Sequence, residues 1–131
     1  MILVDTSVWV DLLRQSATPP VARLRQLLLD GEALIAPVVL QEILQGARSQ
    51  ADLSRLREHF SALPMLEHRA TTYALAGTLY ARCRWAGITP RSPHDCLVAQ
   101  TAIEHDVPLL HDDRDFERIA EIEPALRLLA L

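Results

Sequence analysis

Two short, unbroken apolar runs mark the chain, Met1-Ile2-Leu3-Val4 and Val107-Pro108-Leu109-Leu110, and each is followed by acids. An apolar run of this length without alternation predicts a strand buried on both faces, the kind found in parallel sheets. Between them, apolar runs and helical periods alternate, the signature of an α/β layer fold. After a strand at 2–4, Thr6 or Ser7 can cap a short helix through Trp9, Leu12 and Leu13, and Pro19-Pro20 breaks the chain. A second helix is expected over about 21–30, stopping at Asp30-Gly31 before a short apolar run at 33–36. Pro37 suits the first turn of a third helix, which extends to about Gly46 or Ala47. A fourth helix over about 51–61 precedes a weak strand candidate at 62–66, and the longest helix runs from Arg69 to about Ala86, ending at Gly87. Thr89-Pro90-Arg91-Ser92-Pro93 reads as a turn-rich loop whose Ser92 and Pro93 form an N-cap and first-turn pair. The helix that follows ends near Asp106. The strand at 107–110, a short helical segment at 116–119 and a final edge strand at 126–131 after Pro124 complete the expectation.

The 131 residues suit one domain, 1–131, and no repeat or low-complexity segment divides them. No apolar stretch approaches the roughly 20 residues of a membrane-spanning helix. The chain starts directly in a strand without a basic leader, so a cytoplasmic protein with no membrane contact is expected. Cys83 and Cys96 form no CxxC pattern and read as reduced core residues. The net charge of -4 argues against binding nucleic acid by bulk electrostatics, so any such contact must be local. All thirteen basic residues are Arg, which suits phosphate and carboxylate, although a coding bias of the source genome explains this equally well. His59, His68, His94 and His105 have no HxxxH or HxH spacing, which disfavours zinc. Trp9 and Trp85 are expected to pack, in the core or at a subunit interface.

The acids change the picture most. In open parallel sheets the functional crevice lies beyond the carboxyl ends of the strands, where Asp5 and the group Asp112, Asp113 and Asp115 fall. Each of these also suits a helix N-terminus, favoured by the macrodipole. Asp95 is followed at helical spacing by Val98, Ala99 and Ala102, so it lies on the stripe that faces the sheet. A capping arrangement with Ser92 explains an acid there, though not its position on the apolar face. Glu42 lies on the flank of its helix, where a solvated glutamate fits as well as a functional one, and Gly46 one turn on can leave space beside it or serve as the C-cap. Taken together, acids from two strand ends and from a core-facing helix point to a hard-metal site, because carboxylates in one cleft repel unless a cation holds them.

Four motifs then carry a resemblance: Val4-Asp5-Thr6-Ser7-Val8-Trp9, Val39-Leu40-Gln41-Glu42-Ile43-Leu44-Gln45-Gly46, His94-Asp95-Cys96-Leu97-Val98-Ala99 and Leu109-Leu110-His111-Asp112-Asp113-Arg114-Asp115-Phe116. In this order and spacing the chain resembles, over nearly its whole length, the PIN domain of VapC-type toxins, the nuclease components of type II toxin-antitoxin modules. The resemblance implies a three-layer α/β/α PIN-like fold with a central, mainly parallel sheet of about four or five strands. It implies an acidic set of Asp5, Glu42, Asp95 and Asp113, with Asp5, Asp95, Asp113 and Asp115 near a Mg2+ or Mn2+ ion and Thr6 or Ser7 as the hydroxyl that orders the metal or its water. The chain departs from the commonest pattern at His111, where many relatives carry Thr or Ser; a structural role or a contact to phosphate or water are the readings open to it. Asp112 reads as a neighbour of the site.

The chemistry fits these residues. Magnesium takes oxygen ligands, and in a two-metal scheme one ion activates water while the other stabilises the leaving oxygen. The resemblance implies an endoribonuclease toxin leaving a 3′-hydroxyl and a 5′-phosphate, an RNA substrate, a homodimer and a small antitoxin protein covering the acidic groove. Arg14, Arg48, Arg91 and Arg114 lie near the motifs in sequence and are candidates for RNA contact. The alternative is a catalytically silent PIN-fold binding module, disfavoured because every matched acid is present. A phosphotransferase with Asp5 as nucleophile ranks last, since Ser7 stands where such enzymes usually carry a second Asp.

Overall fold

The computed structural model describes residues 1–131. Ten elements follow in the order β1 (Ile2–Val4), α1 (Thr6–Leu13), α2 (Pro19–Leu29), β2 (Ala33–Leu34), α3 (Pro37–Gln45), α4 (Gln50–Ser61), α5 (Ala70–Trp85), α6 (Pro93–Glu104), β3 (Leu109–Leu110) and α7 (Arg114–Ile122). The seven helices flank a parallel sheet in a three-layer α/β/α arrangement. Strand order is β2-β1-β3. Ile2 and Leu3 pair with Ala33 and Leu34, while Leu3 and Val4 pair with Leu109 and Leu110. The central strand is buried throughout, as its apolar run predicts, and the hydrophobic core is one cluster reaching from Ile2 to Leu126. The helices are joined across the core by contacts of α1 with α2 and α3, of α5 with α6, of α6 with α7, and of α3 with α6.

The sheet has three strands where four or five are expected, and the missing two survive as single bridges. Ile35 bridges Met65, with Ile35 N donating to Pro64 O at 3.1 Å and Leu66 N to Ile35 O at 2.8 Å. Leu128 bridges Leu109, whose N donates to Arg127 O at 2.9 Å and whose O accepts from Leu129 N at 2.8 Å. The order of a five-stranded sheet is therefore present, with its outer members reduced to one residue each. Pro108 shortens β3 as well: it has no N–H, so it enters the ladder only through its carbonyl, which accepts from Leu3 N at 3.0 Å.

Two helix boundaries also differ. Pro19 and Pro20 begin α2 instead of breaking the chain, because a proline in the first turn forfeits no intrahelical bond and Thr18 Oγ1 accepts from Val21 N at 3.3 Å as the cap. The helix after the second run extends over Arg114–Ile122, well beyond 116–119, with Phe116 and Ile119 buried on its inner face. At the end of α5, Gly87 takes φ +82°, and bonds from Gly87 N to Arg84 O (3.0 Å) and Ile88 N to Cys83 O (2.9 Å) close the helix and turn the chain into the loop that carries Arg91. No helix is long and apolar enough to cross a membrane.

Candidate functional site

Parallel pairing of β1 with β3 brings their carboxyl ends side by side, and Asp5 N donates to Leu110 O at 2.9 Å at the last rung. Asp5 then caps α1, its Oδ2 accepting from Ser7 N at 3.0 Å and from Ser7 Oγ at 2.7 Å. Only 5% of Asp5 is exposed. Burial pushes its pKa above the usual 3.8, the bonds from Ser7 pull it down, and the charge of Glu42 raises it again. Ser7 Oγ also accepts from Asp112 N at 3.1 Å, so one hydroxyl joins the two strand-end segments. Thr6 Oγ1 takes a different partner and donates to Glu42 Oε1 at 2.8 Å. Both hydroxyls thus hold acids of the set, Ser7 the strand-end aspartate and Thr6 the glutamate of α3.

Asp113 caps α7 by accepting from Asp115 N at 2.9 Å, and Asp115 lies in the first turn with 3% of its surface exposed. The helix-cap readings of Asp5 and Asp113 are therefore correct as far as they go. They do not extend to Asp95. Ser92 Oγ accepts from His94 N at 3.2 Å, without a reciprocal bond from Asp95. Its helical neighbours Val98, Ala99 and Ala102 are buried, so Asp95 does lie on the inward stripe. Burial first, and then the charges of Asp5, Asp113, Asp115 and Glu42, push its pKa up to about 7, and no hydrogen bond to the carboxylate offsets them. Oxygens of Asp95, Asp113 and Asp115 lie within 4.8 Å of one another, a spacing that suits three ligands of one cation. Asp5 and Glu42 are outside that trio. Glu42 stands beside α6, with Oε2 3.7 Å from His94 Nδ1.

Of the four arginines named from sequence, one reaches the acids. Arg91 Nη2 donates to Asp113 Oδ1 at 3.0 Å and Nε to Asp115 Oδ2 at 3.4 Å, while its backbone N donates to the same Asp115 oxygen at 2.9 Å. Arg14 and Arg48 line a cleft of about 810 Å³ between α1, α3 and α4 that shares no lining residue with the acidic set. Arg114 is exposed and makes no ion pair. Arg118, which the sequence reading missed, lies with Nη1 3.7 Å from Asp115 Oδ1; its i,i+3 spacing from Asp115 was the available signal. The approach of His94 to Glu42 is a tertiary contact between α6 and α3 with no local signal.

His111 has a structural place. Its Nδ1 accepts from Asp113 N at 3.1 Å, which puts the ring proton on Nε2, and the ring leans on Phe116 with centroids 5.4 Å apart. Trp9 is buried and meets Phe60 edge-on at 5.0 Å, as expected. Trp85 is 75% exposed and so does not belong to the core. Its place in the last turn of α5 puts it on the solvent side while Cys83 and Leu79 take the inner side. Cys83 and Cys96 are free and buried, and burial pushes both thiols up, Cys96 to about 12, which leaves them unreactive.

A model of the PIN domain family matches residues 2–122. Among curated proteins, the chain is 38% identical over 126 residues to a VapC ribonuclease of Mycobacterium bovis and, equally, to the ribonuclease VapC11 of Mycobacterium tuberculosis, covering 93% of each pair of chains. Among solved structures it is similar to a chain in VapBC2 from Rickettsia felis bound to a promoter DNA fragment, with TM-score 0.75, 23% identity and 98% of both chains covered. It is similar also to a chain in VapBC-1 from nontypeable Haemophilus influenzae, with TM-score 0.73, 20% identity, and 98% and 97% covered.

Proposed function

This chain belongs to the PIN domain family, and from that membership we propose that it is a VapC-type toxin: an endoribonuclease that hydrolyses RNA phosphodiester bonds with Mg2+ or Mn2+. The observation that carries the reading is the gathering of Asp95, Asp113 and Asp115 oxygens within 4.8 Å, from two different helices, with Asp95 left without a hydrogen bond. Uncompensated carboxylates at that spacing fit a hard, oxygen-seeking cation, and the donor set contains no sulfur or imidazole.

Asp95, Asp113 and Asp115 would hold the ion. Bound there, the metal supplies a lowered pKa for the attacking water and countercharge for the phosphate. Asp5, fixed by Ser7, would place a carboxylate at the strand end that can accept hydrogen bonds from water held near the ion. Glu42, oriented by Thr6, takes up the proton that the attacking water loses. No ribose 2′-hydroxyl is needed in this arrangement, and the resemblance to VapC-type nucleases implies a 3′-hydroxyl and a 5′-phosphate as product ends. The relatives' complexes pair VapC with VapB, and the same reading gives this chain a small antitoxin partner, a homodimeric state and a cytoplasmic setting.

The test is to incubate the purified chain, freed of any bound antitoxin, with total cellular RNA and Mg2+ or Mn2+, beside Asp5→Asn and an EDTA control. Discrete fragments that disappear in both controls are expected. A folded protein that leaves the RNA intact with either metal would overturn the reading.

A further inference from the structure

The loop between α5 and α6 puts a cation of the chain's own against two of the three clustered acids. Asp113 Oδ1 accepts from Asp115 N and from Arg91 Nη2, and Asp115 Oδ2 accepts from Arg91 N and Arg91 Nε. A carboxylate oxygen offers about two lone pairs, so both of these oxygens are filled. An ion that draws on these two oxygens competes with a donor for each of them. The backbone donors belong to the helix cap and to the loop, whereas the Arg91 side chain is 78% exposed and its guanidinium is held to the acids by side-chain bonds alone. It is the donor that can go without unfolding anything.

We propose that Arg91 is a positioning residue that stands in for the metal: it holds Asp113 and Asp115 at ligand spacing, yields to the incoming ion, and then meets the RNA phosphate. This rests on the metal-site reading above. The backbone bond from Arg91 N to Asp115 keeps the loop attached when the guanidinium leaves, so the freed side chain stays beside the reacting phosphate. Arg91 therefore opposes metal binding and favours substrate binding, a combination that a residue with a merely structural role does not produce. Arg118, 3.7 Å from the other oxygen of Asp115, provides the comparison: a nearby positive charge that fills none of the bonds in question.

The experiment is calorimetric titration of the intact, antitoxin-free chain with Mn2+, using the parent, Arg91→Ala, Arg91→Gln and Arg118→Ala, followed by RNA cleavage at saturating Mn2+. Arg91→Gln, uncharged and shorter but still polar, serves if the alanine variant folds poorly. Both Arg91 variants are expected to bind Mn2+ roughly three- to tenfold more tightly, the low end of what a neighbouring charge does to a carboxylate because this one is exposed. Arg118→Ala should move the affinity less. At saturating metal the Arg91 variants should show a raised KM for RNA. Unchanged or weaker Mn2+ binding in both Arg91 variants, with the parent binding normally, overturns the role of Arg91. A parent that binds no Mn2+ overturns the metal reading itself.

Discussion

Asp95 carries a conflict that can be measured. Burial and the neighbouring acids push its carboxyl up to about 7, against an ordinary value of 3.8. The folded state thus binds a proton more tightly than the unfolded state does. Its stabilising contribution is complete below the unfolded value and is lost as pH rises through about 7. At pH 7.5 in EDTA, Asp95→Asn should be more stable than the parent by about 2 kcal/mol, since the group is partly exposed and solvent screens part of its penalty. The gain should shrink toward pH 4, and RNA cleavage should be abolished at every pH. Urea denaturation across that range checks it, and a variant no more stable than the parent would refute the conflict. The sequence already signalled this residue, because a cap with Ser92 explains an acid there but not its place on the apolar stripe. Arg91 gave no such signal: only the turn at Gly87 and the start of α7 bring its guanidinium to Asp113 and Asp115.

Helix α3 begins without a side-chain cap of its own, since Ala36 occupies the N-cap position. The cap comes from across the fold, where His68 Nε2 accepts from Val38 N at 3.2 Å and Nδ1 faces Thr101 Oγ1 at 2.9 Å. An imidazole that accepts at Nε2 must be neutral, and burial accordingly lowers the His68 pKa below 6.5, with Glu104 opposing and His105 assisting. The sign is opposite to that of Asp95: the contribution is complete above about 6.5 and declines as pH falls below it. His68→Ala should cost about 1 kcal/mol at pH 7.5, the value of a helix cap, and the difference from the parent should narrow by pH 5. Denaturation of the pair at both pH values tests this, and a difference independent of pH would count against it. Element by element, β1, the start of α6 and the loop before it are legible from the apolar runs, Ser92 and Pro93. The borrowed cap of α3 is not, because 30 positions separate donor from acceptor. Nor is the reduction of the outer strands to single bridges, which depends on how much backbone the neighbouring segments leave free to pair.

The acids of the site come from separate parts of the chain, so an ion that they share acts on the whole molecule. Binding to the native state alone stabilises by about 2.7 kcal/mol at a hundredfold excess over Kd, and for a chain of this size roughly 5–10 °C in Tm is expected from Mn2+. Because the ligands must be deprotonated, the gain should grow as pH rises through 7 and vanish with EDTA or in Asp95→Asn. Thermal melts with and without Mn2+ at pH 6 and 8 decide it, and equal Tm values under all four conditions would contradict a shared ion. The sheet order has a further consequence. β1 lies in the middle, yet β3 follows it only after two further strand segments and six intervening helices. The bond that joins Ser7 to Asp112 spans 105 positions. Contacts this distant form late, after the loop between them has been made and closed. While the chain is being synthesised, Asp5 emerges long before Asp95, Asp113 and Asp115, the three acids whose oxygens cluster. On the proposed reading, a partly made chain therefore lacks the site it would need to cleave RNA until nearly all of it has been translated.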